Sequence, residues 1–129
     1  MIAIDANVVV RFLVNDDPEQ ARRARRLIES EDVFLSTTVL LETEWVLRVA
    51  DRRPKPRSLE MLRAFLGLPR VVAEDLPVAV TALEWAELGM DFADALHLAS
   101  CPSCDAFATF DRDLSKMAAI VGSMRVRTP

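Results

Sequence analysis

Four carboxylates stand at positions where an acid can do chemistry. Asp5 follows Ile2, Ala3 and Ile4, a continuous apolar run of the kind that makes a short buried strand in a parallel sheet, so it belongs at that strand's carboxyl end. Ligands of open α/β sheets bind in the crevice beyond those ends. Asp111 follows the apolar stretch "DAFATF" in the same way. Glu42 lies at helical spacing from Val39, Trp45, Val46 and Val49, which places it in an apolar stripe where an ionised group is costly unless paired, whereas Glu44 falls on a different face and can be solvated. Asp94 comes three residues after Asp91, the arrangement of a helix start in which Asp91 caps and Asp94 occupies the positive first turn. Two strand ends and two helix positions thus each offer one carboxylate. Like charges gathered closely raise one another's pKa, and a divalent cation resolves the conflict. A set of oxygen ligands without Cys or His favours Mg²⁺ or Mn²⁺ over zinc, which points to phosphoryl chemistry. Taken singly, most of these acids have a structural account: Asp5 capping the first helix, Asp91 and Asp94 a capping pair, Asp111 a turn residue. That account leaves Glu42 unexplained.

The elements that must position these acids can be read from caps and periodicity. Asp17 and Pro18 form an N-cap with proline in the first turn, and Gln20 is placed to complete a capping box, so a helix is expected from Pro18 to Ser30 with Ala21, Ala24, Leu27 and Ile28 buried. Val33 to Leu35 reads as a strand, and Ser36 caps the helix that carries "TTVLLETEWVLRVA". "RRPKPR" ends that helix, Ser58 caps another through Leu66, and Gly67 with Pro69 closes it. "VVA" at 71–73 is a further strand, Pro77 opens a helix through about Leu88 that Gly89 stops, and Asp91 starts the next with "DFADALHLAS". "DAFATF" makes a fourth strand. This alternation predicts an α/β domain with a central, mostly parallel sheet of four to five strands and helices on both faces.

Length and composition set the frame. A chain of 129 residues, 51% hydrophobic and 28% charged, is expected to form one globular domain over 1–129, with only the last few residues looking disordered. No apolar run approaches a membrane helix and no signal peptide opens the chain, so a cytoplasmic location is expected. The net charge of −4, from 16 Lys and Arg against 20 Asp and Glu, counts mildly against a nucleic-acid partner. Positive charge is nevertheless concentrated in "RRARR" at 22–26 and "DRRPKPR" at 51–57.

Four segments, "IDANVVVRFL", "LSTTVLLETEWVL", "DFADALHLA" and "CDAFATFDRDL", in this order and at these separations, resemble the PIN-domain ribonucleases, and specifically the VapC toxins of bacterial and archaeal toxin–antitoxin pairs. The resemblance runs almost end to end. It implies a PIN-like fold and a Mg²⁺- or Mn²⁺-dependent endoribonuclease that leaves 5'-phosphate and 3'-hydroxyl ends. It carries the family's acidic constellation onto Asp5, Glu42, Asp94 and Asp111, with Asp113 as an accessory and Asn7 and Thr109 as polar neighbours. Asp5 and Asp94 would be the principal metal ligands, and Glu42 and Asp111 would bind a second metal or orient water. It further implies a homodimer neutralised by a cognate antitoxin whose C-terminal segment enters the acidic groove.

Other features carry less. "CPSC" at 101–104 closes a helix instead of opening one, and a zinc site would need more ligands than the single His97 supplies, so Cys101 and Cys104 read as turn residues. His97 reads as a packing residue one turn beyond Asp94. Arg22, Arg25 and Arg26 share a helix face that reads as solvated, while Arg52, Arg53, Lys55 and Arg57 occupy a loop with RNA-phosphate contact as the competing use. Trp45, Trp85 and Phe110 read as core. Two phosphoryl-transfer alternatives fail. A phosphatase of the haloacid dehalogenase type needs a second aspartate where Asn7 stands, and a receiver domain needs paired acids after its first strand. A catalytically weak PIN domain that binds RNA or protein as a regulator is the alternative of a different class, and a housekeeping RNA-processing nuclease suits a chain of this length less well than a stand-alone toxin.

Overall fold

The computed structural model describes all 129 residues and divides them into two compact units, Met1–Leu76 and Pro77–Pro129. In the first unit β1 (Ile2–Ala3) leads into α1 (Ala6–Val14), α2 (Pro18–Ser30), β2 (Val33–Leu35), α3 (Thr37–Trp45), a π-helical turn (Val46–Ala50), α4 (Lys55–Leu66) and β3 (Val71–Ala73). The three strands pair in parallel in the order β1-β2-β3, with Ile2 opposite Val33 and Val33 opposite Val71. Parallel pairing requires a crossover between successive strands, and the helix pairs α1–α2 and α3–α4 supply it. Val33 and Leu35 of the central strand are buried together with Val9, Leu47, Leu62 and Phe65. Phe12 of α1 meets Phe65 of α4 edge to face at 5.6 Å.

The second unit holds nearly all of α5 (Leu76–Glu87), then α6 (Phe92–Ala99), β4 (Phe107–Ala108), α7 (Arg112–Val121) and β5 (Val126–Arg127). β4 and β5 pair in parallel, Phe107 opposite Val126. Its buried residues include Ala82, Leu83, Met90, Phe92, Ala95 and Leu98. Gly89 adopts φ +117°, a conformation closed to ordinary side chains, and so breaks the chain between α5 and α6. No helix is long and apolar enough to cross a membrane.

The α/β class and the parallel pairing are as expected, with hydrogen bonds dividing the five strands three and two. Several local expectations change. The opening strand is not buried: Ile2 and Ala3 are exposed on an edge bonded only to β2, and Ile4 beyond it is the buried residue. Asp17 caps α2 through the Gln20 amide at 3.1 Å, but the Gln20 side chain accepts from Arg11 Nε at 2.6 Å, so the capping box is half made. Ser58 does not start a helix. Lys55 and Pro56 already lie in α4, with Pro54 at its N-cap, and Ser58 is fully buried with its hydroxyl unpartnered. The fourth strand is two residues long, and the C-terminal residues expected to be disordered form β5.

Candidate active site

Asp5 leaves the carboxyl end of β1 and caps α1. Its Oδ1 accepts the Ala6 amide at 2.8 Å and its Oδ2 accepts Asn7 Nδ2 at 3.1 Å. The carboxylate is therefore held in one orientation while remaining exposed. Across a groove of about 230 Å³, lined by Asp5, Asn7, Val10 and Arg11 from one side, stands Glu42 of α3 with Val46. The first unit thus brings Asp5 and Glu42 to one groove. Arg11, which sequence reasoning missed, shares it, its guanidinium tied to Asp16 at 2.9 Å and to Gln20. The signal was available, since Asn7 and Arg11 are one turn apart on the same face.

Glu42 reaches this groove because it is exposed, which corrects the expected stripe. The buried face of α3 and the π-helical turn consists of Leu40, Thr43, Glu44 and Leu47. Glu44, expected in solvent, is the acid that is buried, and Arg48 Nε meets its Oε1 at 2.7 Å. Thr43 satisfies its hydroxyl on the Val39 carbonyl at 2.7 Å. Trp45 and Val49, expected in the core, lie at 52% and 43% exposure on the face that carries Glu42. Phe110 is likewise exposed, at 78%, so its assignment to the core is also overturned, and Trp85 is half-buried.

In the second unit Asp91 caps α6, accepting the Asp94 amide at 3.1 Å, and Asp94 occupies the first turn as the spacing predicted. Burial pushes the Asp94 carboxyl above its ordinary range, the charges of Asp91 and then Asp111 push the same way, and His97 one turn on opposes them. Asp94 and Asp111 are thus near enough to repel. Asp111 caps α7 through Oδ1, which accepts the Leu114 amide at 3.0 Å. Thr109 holds the approach to that cap: its Oγ1 accepts the Asp111 amide at 3.0 Å while its own amide binds the Arg127 carbonyl. Asp113 is exposed in the first turn of α7, where it complements the helix dipole.

The PIN domain family matches residues 2–120. The chain belongs to the PIN domain family. The match runs through every element that carries one of the four acids, and PIN domains are generally nuclease folds that typically use divalent metals. No curated protein matches the chain. The donors of this PIN domain suit such a cation in kind. In the first unit Asp5 and Glu42, and in the second Asp94 and Asp111, offer hard carboxylate oxygens, and Asp94, partly buried beside Asp91 and Asp111, is a group that a cation would relieve. Neither unit by itself gathers three or more His, Cys, Asp or Glu side chains in metal-binding geometry.

His97 is exposed, not a packing residue. Cys101 and Cys104 flank a turn closed by Cys104 N to Cys101 O at 3.1 Å, and burial together with Cys104 raises the Cys101 thiol above its usual range. The basic stretch at 51–57 is not one loop. Lys55 and Arg57 lie in α4, Arg57 pairs with Glu60 at 3.1 Å, Arg53 stands 2.6 Å from Asp51, and Arg52 is exposed with φ +52°. On α2, Arg22 pairs with Glu19, Arg25 with Glu29 at 3.7 Å, and the Arg25 guanidinium sits 5.0 Å above the Phe12 ring.

Proposed function

We propose that this PIN domain is a single-domain, metal-dependent endoribonuclease acting as the toxin of a VapC-type toxin–antitoxin pair. It hydrolyses RNA phosphodiester bonds to 5'-phosphate and 3'-hydroxyl ends. The observation that carries the reading is the Asp5–Glu42 groove: two exposed carboxylates, one of them fixed by two hydrogen bonds, at the carboxyl end of a parallel strand in a family of nucleases. Asp5, Glu42, Asp94 and Asp111 are assigned as the residues that hold Mg²⁺ or Mn²⁺, with Asp5 and Asp94 as the principal ligands and Asp113 as an accessory. When bound, the cation lowers the pKa of water and offsets negative charge on the phosphate, which removes the need for a His or Lys base.

The chain's own residues supply the order. The Ala6 amide and Asn7 fix Asp5 so that its position is set before substrate arrives. Thr109 and the Leu114 amide do the same for Asp111. Asn7 and Thr109 are therefore positioning residues. In this reading the protein is a cytoplasmic homodimer, held inactive by a cognate antitoxin.

The experiment is cleavage of total cellular RNA by purified protein in Mg²⁺ or Mn²⁺, with EDTA and Asp5→Asn as controls. Discrete fragments lost in both controls support the reading. Absence of cleavage by antitoxin-free protein in either metal moves the assignment to a PIN domain that binds without cutting.

A further inference from the structure

We propose that the groove between α1 and α2 binds the sugar–phosphate backbone of the RNA strand flanking the cleaved bond, with Arg23 and Arg11 as its phosphate contacts. The proposal rests on the nuclease reading. The groove has a volume of about 580 Å³, and its polar lining is Asn7, Arg11, Gln20 and Arg23 above a small apolar floor that includes Leu27. Asn7 and Arg11 also line the Asp5–Glu42 groove, so α1 presents the same two side chains to both. A strand lying in one groove continues into the other across that helix.

The charge pattern calls for such a contact. Asp5 and Glu42 repel a polyanion, and the chain as a whole carries a net charge of −4, so affinity for RNA must come from cations placed beside the acids. Of the two arginines that line the groove, Arg23 is the one without a competing acid. It is exposed and makes no ion pair, whereas its neighbours Arg22 and Arg25 are paired with Glu19 and Glu29. Arg11 is braced by Asp16 and Gln20, which holds its guanidinium in place and leaves about a third of the side chain, 34%, exposed. A groove with four polar side chains fits a hydrated backbone better than it fits the apolar face of a protein helix, which seeks a continuous hydrophobic floor.

The test measures binding apart from cutting. In an Asp94→Asn background that suppresses cleavage, the affinity of the full chain for a mixed-sequence single-stranded RNA of about 12 nucleotides is followed against KCl concentration in Mg²⁺. Arg23→Gln, which keeps good helix propensity on an exposed site, is compared with Arg70→Gln. Arg70 removes the same charge at the opposite end of the sheet, before β3, where it pairs with Asp32 at 3.2 Å. Arg23→Gln is expected to weaken binding about threefold to tenfold and to lower the log–log salt slope by about 0.7, while Arg70→Gln changes neither. In the cleavage-competent chain, Arg23→Gln raises KM and leaves kcat. If the unsubstituted chain binds and cleaves but Arg23→Gln matches Arg70→Gln in affinity and slope, the groove assignment is overturned and the nuclease stands. If the unsubstituted chain neither binds nor cleaves RNA, both fall.

Discussion

At the scale of single residues, Glu42 and Glu44 exchange the roles that spacing gave them. Val39, Leu40, Leu41, Trp45, Val46, Leu47 and Val49 put apolar residues around most of the helix, so two stripes of equal periodicity compete and spacing alone does not choose between them. The deciding signal was the i, i+4 pair Glu44–Arg48, which lets an acid be buried. Glu44→Ala is therefore expected to lower stability by roughly 1–3 kcal/mol, whereas Glu42→Gln changes it by less than about 0.5 kcal/mol and abolishes cleavage; thermal melts beside an RNA-cleavage assay separate the two. Asp94 gives a pH-dependent case. Its carboxyl holds a proton more tightly in the fold than at the ordinary value of 3.8, so across the window just above that value the folded chain binds more protons than the unfolded one and stability falls as pH rises. Above that window the ionised group is a standing penalty. Asp94→Asn removes it, and melts in EDTA should show a higher Tm than the native chain at pH 7 and a smaller difference near pH 4.

At the scale of elements, caps were legible and interiors were not. Asp17 with Pro18, Ser36 and Asp91 each announced a helix that the structure contains, because a cap is a local event between a side chain and amides two or three residues on. Ser58 misled for the same reason: a serine ahead of an apolar run looks like a cap, but Pro56 fits the first turn of a helix that has already begun. Ser58→Ala should raise stability by about 1 kcal/mol, since alanine favours the helix and removes a buried hydroxyl with no partner; a denaturant titration checks it. β5 escaped notice because two residues carry no periodicity, and its strand character comes from pairing with β4. α7 was not expected at all, because Asp111 read as a strand end or a turn residue, whereas it is the N-cap of that helix and a candidate site acid at once. Asn caps as well as Asp, so Asp111→Asn should keep the fold and lose cleavage. Asp111→Ala should in addition cost about 1 kcal/mol.

At the scale of the whole molecule, the PIN match covers the first compact unit from residue 2 and the second as far as residue 120. The four-segment resemblance that brought the family into view survives the local errors because it depends on residue order, not on which face each residue takes. The proposed metal makes a global prediction. At about a hundredfold excess over its Kd, Mn²⁺ should stabilise the fold by about 2.7 kcal/mol, read as a rise in Tm that EDTA reverses. Asp5→Asn and Asp94→Asn should each abolish that rise. Trp45 offers a way to watch the same event by light. Its indole lies exposed on the face that carries Glu42, so its emission should be red-shifted and open to acrylamide, in contrast to the half-buried Trp85. Paramagnetic Mn²⁺ or a stacked base arriving beside Glu42 should dim it, which makes this PIN domain an unlabelled optical reporter of its own acidic groove.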